Sequence, residues 1–334
     1  MPRFWTLASL RLVTAPASTP VPTLADIRAA AVRIAPLVHR TPVLTSTSLD
    51  VLCGARIFFK CENFQRTGSF KIRGASNAIM SLTDEQAACG VVTHSSGNHA
   101  SAVACAARHR GVPSFIVVPE NAPQAKIDTA AGFGGVISLC KPTLEARQEM
   151  VDDIQERTGA AMVHPYDNND VIAGQGTAAL ELVEEITGLE IVSAPVSGGG
   201  LLSGTAIAAT SLRPAIRVVG AEPVNADDAY RSIRAGSIQP LLHSNTIADG
   251  LRAALCPRTF DIIRSRVTNI LTVDEETIIE AMKLIWRYLK IVVEPSGAVP
   301  LAMVLAHRER FAGRHVGLIL TGGNLDLDKL PWQH

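Results

Sequence analysis

The sequence lacks an excess of charge of either sign. Its 334 residues include 31 lysines and arginines and 31 aspartates and glutamates, so the formal net charge at pH 7 is zero. Such a chain has no general electrostatic attraction for nucleic acid or for an anionic membrane. No apolar run approaches the ~20 residues that cross a bilayer. These absences favour a small-molecule partner over nucleic acid or a membrane.

Paired cysteines are also lacking. The six cysteines form no CxxC pair and no metal-ligand spacing, which is typical of reduced thiols in a cytoplasmic protein. Residues 1–22 contain several prolines and no acidic residue. That composition predicts a disordered lead-in more strongly than an organelle transit peptide.

What the sequence does contain is a regular alternation of strands and helices. Short β-branched runs, from "RIFFKCEN" at residues 56–63 to "HVGLILTGG" at residues 315–323, are separated by longer amphipathic segments. This pattern predicts an α/β protein whose parallel sheets are covered on both faces, and the length suits about two domains. We expect the first helix to follow Thr23, an N-cap with Asp26 three residues later.

One lysine has an unusual setting. In "ENFQRTGSFKIRGASNAI", residues 62–79, Lys71 lies between Phe70 and Ile72, and Arg73 follows two positions later. Desolvation and the like charge of Arg73 are expected to lower the pKa of the Lys71 amine. A lysine of this kind is suited to forming a covalent bond with an aldehyde. The alternative is a solvated surface charge, the commonest fate of a lysine.

Two turns from strand to helix carry further candidate binding groups. In "THSSGNHAS", residues 93–101, hydroxyl groups and backbone N–H groups at a helix N-terminus predict a carboxylate site, although an N-cap serine would explain one of the residues. In "APVSGGGLLSG", residues 194–204, consecutive glycines predict a backbone nest for a phosphate. A dinucleotide site is disfavoured, because Ser203 occupies the third glycine position of that motif.

A third turn, "LILTGGNLD" at residues 318–326, presents Thr321 at the end of a buried strand. A lysine for an aldehyde, a glycine nest for a phosphate and a hydroxyl for a ring nitrogen together indicate pyridoxal 5′-phosphate.

Eight motifs in this order resemble the serine racemase and serine/threonine dehydratase family of fold-type II pyridoxal phosphate enzymes, over residues 23–330. They are "GSFKIRGA", "THSSGNHA", "VIAGQGT", "GGGLLSG", "AEPVNADDAY", "TIADGLR", "VEPSGA" and "LTGGN". The resemblance implies a tryptophan synthase β-like fold with two open, twisted, mostly parallel sheets flanked by helices. The motif positions place a large domain at residues 23–81 and 161–334, and a small domain at residues 82–160.

The resemblance also implies a role for each matching residue. Lys71 would carry the cofactor covalently, Phe70 would pack beside the ring, Asn98 would contact the ring oxygen and Thr321 would face the ring nitrogen. The phosphate would be held by Ser197, Gly198, Gly199, Gly200 and Leu201. The substrate carboxylate would be bound by Ser95, Ser96, Asn98, His99 and Arg147.

A divalent cation site is implied as well. Glu222, Asp228 and the carbonyl of Ala226 offer hard oxygen ligands that suit Mg²⁺, with Ca²⁺ or Mn²⁺ as alternatives. Two surface acids would otherwise be expected simply to be solvated.

Several positions depart from the family pattern. Ser197 replaces the first of four glycines, which is harmless where that residue needs a negative φ. Ala253 stands where some members carry a serine near the substrate. Arg66 and Ser101 stand where animal serine racemases carry the lysine and glutamine of a nucleotide site, so the resemblance does not extend to that site.

The expected activity is dehydration of L-serine or L-threonine to a 2-oxo acid and ammonia by a homodimer. Lys71 would be the base, and a hydroxyl rather than a carboxylate at Thr321 would weaken the ring as an electron sink and favour early loss of the β-hydroxyl group. The alternatives are serine racemisation, which needs Ser96 as an acid on the opposite face, dehydration of 3-hydroxyaspartate, and a non-catalytic ligand sensor.

Overall fold

A computed structural model describes residues 21–122, 124–242 and 244–333. The expected lead-in therefore lies outside the described residues, except for its last two positions. Within the described part, the strands are β1 (Val43–Leu44), β2 (Arg56–Cys61), β3 (Val91–His94), β4 (Ser114–Pro119), β5 (Val136–Cys140), β6 (Ala161–Met162), β7 (Ile191–Pro195), β8 (Arg217–Pro223), β9 (Asn269–Val273) and β10 (His315–Leu320).

The strands form two sheets. The larger sheet has six strands in the order β1-β2-β10-β7-β8-β9, and the smaller has four in the order β5-β4-β3-β6. Strand β1 is antiparallel to β2, and all other described neighbours are parallel. The prediction of an α/β protein with mostly parallel sheets is confirmed.

Fourteen α-helices in the described part connect and cover these strands. They are α1 (Leu24–Ile34), α2 (Thr47–Cys53), α3 (Lys71–Ser81), α4 (Asp84–Ala88), α5 (Asn98–Arg110), α6 (Gln124–Gly132), α7 (Leu144–Thr158), α8 (Asn169–Glu185), α9 (Gly200–Leu212), α10 (Asp228–Ala235), α11 (Pro257–Arg266), α12 (Glu275–Leu289), α13 (Pro295–Ala306) and α14 (Arg308–Phe311).

Apolar side chains bury both faces of each sheet. One face of the larger sheet packs against α2, α12 and α13, and the other against α1, α8, α9 and α11. The smaller sheet packs against α3, α5 and α6 on one face and α7 on the other. Covering on both faces explains why the strands are continuous apolar runs rather than alternating ones.

Local sequence signals account for most element positions. The predicted strands correspond to β2 through β10, and β1 escaped prediction because two residues give no periodic pattern. The capping box at α1 is present: the Asp26 N–H donates to Thr23 Oγ1 at 3.3 Å, and the Thr23 N–H donates to Asp26 Oδ2 at 2.7 Å. Strand β6 pairs with β3, so the smaller sheet extends two residues past the expected boundary at residue 160.

None of the six cysteines is in a disulfide. Among the described residues, no helix combines the length and the apolar character needed to cross a bilayer.

Candidate functional site

The candidate site is built around Lys71, the first residue of α3. The preceding loop is fixed to the end of β10, because the Phe70 N–H donates to the Thr321 carbonyl at 3.0 Å. Ser69 forms a bridge with Gly322 one residue further on. The loop that carries the lysine and the TGGN turn are therefore in direct contact.

The Lys71 amine is held in a desolvated position. Its Nζ donates to the Pro165 carbonyl at 3.0 Å and lies 5.2 Å from the centroid of the Phe70 ring. Desolvation lowers the pKa of the amine from 10.5 to about 8. At neutral pH roughly one amine in ten is therefore uncharged, whereas an ordinary lysine is almost wholly protonated.

Arg73 does not contribute to this shift, so the expected effect of its like charge is wrong. Its guanidinium is fully buried and pairs with Glu62, Nε to Oε2 at 2.7 Å, and with Glu181, Nη1 to Oε1 at 2.7 Å. Two carboxylates compensate the charge, and desolvation alone lowers the pKa of Lys71. Arg73 instead anchors the first turn of α3.

The SGGG turn joins β7 to α9, and its three positions require glycine for different reasons. Only Gly199 adopts a left-handed φ, at 86°. A Cβ on Gly198 would lie 2.3 Å from Tyr166 Cδ1, and a Cβ on Gly200 would lie 3.0 Å from Tyr166 Cβ. Close packing of Tyr166 therefore requires the other two glycines. Leu201, which follows them, is buried in the second position of α9.

Tyr166 is a site residue that sequence reasoning missed. His164 Nδ1 accepts hydrogen bonds from the N–H groups of Tyr166, at 3.3 Å, and Asp167, at 2.8 Å. Asp167 also pairs with Arg258 on α11 at 2.7 Å. The turn after β6 thus places the Pro165 carbonyl against Lys71, the ring of Tyr166 against Gly198, and the Cβ of Tyr166 against Gly200. Its position after a strand end was the available signal.

Ser197 uses its side chain to bind a second loop. Its Oγ donates to the Ala253 carbonyl at 3.2 Å and accepts from the Ala253 N–H at 3.0 Å. Its φ is not in the left-handed region, so a serine fits at this position without backbone strain. The two departures from the family pattern, at positions 197 and 253, are therefore in direct contact.

The Thr321 hydroxyl is buried and has no hydrogen-bond partner in the described part of the chain. A buried polar group without a partner is costly in a folded protein. A ring nitrogen that accepts a hydrogen bond would satisfy this hydroxyl. This observation fits the pyridine ring of pyridoxal phosphate better than it fits a closed protein core.

The SSGNH loop reaches the same place from the smaller sheet. It connects β3 to α5, and the Ser95 hydroxyl accepts the Gly97 N–H at 3.3 Å. The side chain of Asn98 donates to Glu294 Oε1 at 2.9 Å and accepts from Asn324 Nδ2 at 2.9 Å. Ser96 is half-buried on this loop. The predicted carboxylate loop therefore contacts the TGGN turn across the two sheets.

The side chain of His99 is not placed to bind a carboxylate. It is 1% exposed, and its Nε2 bonds to the Val163 carbonyl at 2.9 Å. Burial and then the Lys71 charge hold the pKa of His99 well below 6.5, so the ring is neutral. Its backbone N–H lies in the first turn of α5, where helix N–H groups lack intrahelical acceptors. Any carboxylate contact of His99 would use that group.

Arg147 is the predicted site residue with the weakest connection to the others. It lies on α7 near the end of β3, where burial and then its charge lower the pKa of His94. Its buried Nε has no hydrogen-bond partner among the described residues. No described contact joins Arg147 to Lys71.

Two of the predicted cation ligands, Glu222 and Asp228, are close enough for the charge of Asp228 to raise the pKa of Glu222. Glu222 at the end of β8 accepts N–H groups from Ala229 at 3.0 Å and Tyr230 at 2.8 Å. Asp228 Oδ2 is buried without a partner in the described part. Burial raises the pKa of Glu222 well above 4.5 and that of Asp228 to about 6. The described residues contain no cluster of three or more metal-ligating side chains, so a cation here would rely on two carboxylates and a carbonyl.

Comparison with known proteins supports this geometry. A family model described as pyridoxal-phosphate dependent enzyme matches residues 34–322. A β-hydroxyaspartate dehydratase from Paracoccus denitrificans is 53% identical, over 93% of this chain and 99% of its own. A serine racemase from rice, Oryza sativa, is 50% identical, over 92% of both chains. The solved structure of maize serine racemase is 47% identical, with a TM-score of 0.91, over 92% of this chain and 95% of that one.

The segment matched by the family model includes Lys71, the SSGNH and SGGG turns, and Thr321 at the start of the TGGN turn. The chain belongs to the pyridoxal-phosphate dependent enzymes of fold-type II.

Proposed function

We propose that this enzyme is an ammonia-lyase that dehydrates β-hydroxy amino acids, L-serine or L-threonine, to 2-oxo acids and ammonia. The observation that carries the proposal is the desolvated amine of Lys71, with a pKa of about 8, at the point where three strand-end turns meet. A base that removes a proton at neutral pH needs a pKa near that pH.

The residues that would hold the cofactor lie on the loop before α3 and on the SSGNH, SGGG and TGGN turns. Lys71 would bind its aldehyde carbon, and Phe70 would pack beside the ring. Asn98 would donate to the ring oxygen, and Thr321 to the ring nitrogen. The phosphate would be bound by the turn formed by Ser197, Gly198, Gly199, Gly200 and Leu201. When bound, pyridoxal phosphate supplies an electron sink for negative charge at the substrate Cα.

The protein groups then have separate tasks. The amine of Lys71, once displaced from the cofactor by the amino group of the substrate, would be free to remove the Cα proton as a general base. Ser95, Asn98 and the N–H groups of the first turn of α5 bind the substrate carboxylate, and this fixes the Cα–H bond relative to the amine. Loss of the β-hydroxyl group needs no second base on the opposite face.

Two other activities are supported by specific observations. Racemisation needs an acid on the face opposite Lys71, and the half-buried hydroxyl of Ser96 is the candidate. Dehydration of 3-hydroxyaspartate is supported by the name of the Paracoccus relative. The Nε of Arg147 has no partner among the described residues. Arg147 would bind the second carboxylate of such a substrate.

We also propose a Mg²⁺ site at Glu222, Asp228 and the Ala226 carbonyl, with Ca²⁺ or Mn²⁺ as alternatives. Two buried carboxylates lie close together there, and the nearby Arg231 pairs with Asp227 instead, Nε to Oδ1 at 2.7 Å. Uncompensated buried charge is costly, and a cation would offset it. The free thiols support a reducing, cytoplasmic location, and a homodimer is the commonest assembly for such an enzyme.

The function is tested by measuring ammonia and 2-oxo acid release from L-serine, L-threonine and 3-hydroxyaspartate. We expect Lys71→Ala to abolish release from every substrate while the far-UV circular dichroism stays unchanged, because one hydrogen bond and no core packing are lost. Lys141→Ala, a change at an exposed position, is the matched control and should retain full activity. Appreciable turnover by Lys71→Ala would exclude Lys71 as the base.

Ser96 separates elimination from racemisation. Ser96→Ala should slow interconversion of L- and D-serine by about 10²-fold or more, the usual scale for losing a general acid, while pyruvate formation persists. Ser95→Ala is the matched control, and it should weaken both activities together because that residue orders the carboxylate loop. Equal loss of both activities in Ser96→Ala would instead assign Ser96 to carboxylate binding.

The pKa of Lys71 predicts how cofactor uptake depends on pH. Only the neutral amine attacks an aldehyde, so the rate of pyridoxal phosphate uptake by cofactor-free protein should rise about tenfold per pH unit at low pH. It should level off above a pH of about 8. Stopped-flow absorbance between pH 6 and 10 measures this rate. A rate that climbs steadily to pH 10 would indicate an unperturbed lysine.

The cation site predicts a response to chelation. EDTA should lower both the unfolding temperature and the activity, and added Mg²⁺ should restore them. Asp228→Asn should remove the response, since it takes away one of two carboxylate ligands. The adjacent Asp227→Asn should preserve it, because Asp227 pairs with Arg231. No effect of a chelator on the unmodified enzyme would mean that the two acids bind no cation.

A further inference from the structure

Asn98 belongs to a chain of side-chain hydrogen bonds that crosses between the two sheets. Its Nδ2 donates to Glu294 Oε1 at 2.9 Å and Oε2 at 3.2 Å. Its Oδ1 accepts from Asn324 Nδ2 at 2.9 Å, and the same Nδ2 donates to the Thr67 carbonyl at 2.8 Å. Asn98 begins α5 beside the smaller sheet, whereas Glu294 and Asn324 lie at the end of the larger one.

The acceptors at the two ends of this chain of hydrogen bonds determine which way each amide is oriented. A backbone carbonyl such as that of Thr67 can only accept, and so can the ionised form of Glu294, which prevails above the pKa of about 7 to which burial raises this carboxyl. Asn324 must therefore turn its nitrogen toward Thr67, and Asn98 must turn its nitrogen toward Glu294. Both N–H groups of Asn324 are then used, one on Thr67 and one on Asn98. The orientation of both amides follows from their acceptor-only neighbours rather than from their own shape.

One N–H of Asn98 remains available. The two N–H bonds of an amide diverge by about 120°, so a single N–H serves both oxygens of Glu294. No other hydrogen bond of this nitrogen occurs in the described part of the chain. Asn98 therefore keeps one N–H donor without a protein acceptor among the described residues, and the oxygen of its amide is committed to Asn324.

The carboxylate of Glu294 is itself held firmly. Glu294 is 4% exposed, and its Oε2 accepts the backbone N–H of Asn324 at 3.2 Å. The Glu294 N–H donates to the Gly322 carbonyl at 3.0 Å. A Cβ on Gly322 would lie 2.6 Å from Glu294 Oε1, so the backbone closes around the carboxylate. A buried acid with these neighbours is placed to orient a partner.

We propose that Glu294 is a positioning residue that fixes the amide of Asn98, so that Asn98 presents an N–H donor to the oxygen on the cofactor ring. The proposal rests on the proposed binding of pyridoxal phosphate at Lys71. With the amide reversed, Asn98 Oδ1 would face the ring oxygen, and two acceptors would repel each other. Glu294 thus acts on the cofactor through Asn98 without touching it.

Glu294→Gln tests the proposal with little change of shape. The new side-chain amide can donate to Asn98, so the direction of the chain is no longer fixed. We expect the dissociation constant of pyridoxal phosphate to rise about tenfold, the usual scale for one hydrogen bond to a charged group, and the absorption band of the bound cofactor to shift. Equilibrium dialysis and absorbance measure the two effects. An unchanged dissociation constant would overturn the proposal.

Glu275→Gln is the matched control. This carboxylate also accepts an asparagine amide, from Asn225 at 3.3 Å, and a backbone N–H, from Ile247 at 2.9 Å. It has no described contact with Asn98. Its replacement should leave the cofactor dissociation constant and the spectrum as they are, and a comparable loss would show that any such carboxylate affects binding through the fold.

A double-mutant cycle with Asn98→Ala separates positioning from general stability. Without the Asn98 amide, Glu294→Gln should have no further effect on cofactor affinity. Additive losses would overturn the proposal. Where Glu294→Gln does not fold, Asn324→Ala takes its place in the same cycle, because it removes the other fixed end of the chain. Failure of the unmodified protein to bind pyridoxal phosphate would instead refute the proposed function.

Discussion

Lys71 is placed where an amine cannot be fully hydrated, and its one described hydrogen bond is to a neutral carbonyl, that of Pro165 at 3.0 Å. Desolvation disfavours the charged form of a lysine, and nearby carboxylates would normally cancel that effect. Glu62, the nearest acid along the chain, is instead paired with Arg73, and Glu181 is paired with both Arg73 and Lys60. These buried ion pairs hold the first turn of α3, and desolvation is left as the one cause that shifts the pKa of Lys71.

The rest of the site follows from the elements that enclose this amine. The turn after β6 provides the Pro165 carbonyl on one side and the ring of Tyr166 on the other. That ring would lie 2.3 Å from a Cβ on Gly198, and the Cβ of Tyr166 would lie 3.0 Å from a Cβ on Gly200. A change at Tyr166 would therefore affect both the glycine turn and the lysine. Parallel strands bring these turns to one edge of each sheet, and the hydrogen bond between Asn98 and Asn324 joins the two edges.

Much of this arrangement could be predicted from the sequence. Strand positions, the Thr23 cap and the three strand-end turns are local signals, and each appears where the residues indicated. The charge on Arg73 was misjudged because its partners at positions 62 and 181 are distant in sequence. The roles of Tyr166 and Glu294 escaped for the same reason: a tyrosine after a strand and an acid before a proline carry no meaning until the fold brings them to the glycine turn and to Asn98.

The central claim is that the amine of Lys71 carries the cofactor, and borohydride reduction tests it most directly. Reduction of the purified, cofactor-loaded enzyme makes the bond between amine and cofactor permanent, and protease digestion with mass spectrometry then locates it. The account predicts a pyridoxyl adduct on Lys71 and on no other lysine. An adduct on a different lysine, with Lys71 unmodified, would contradict it.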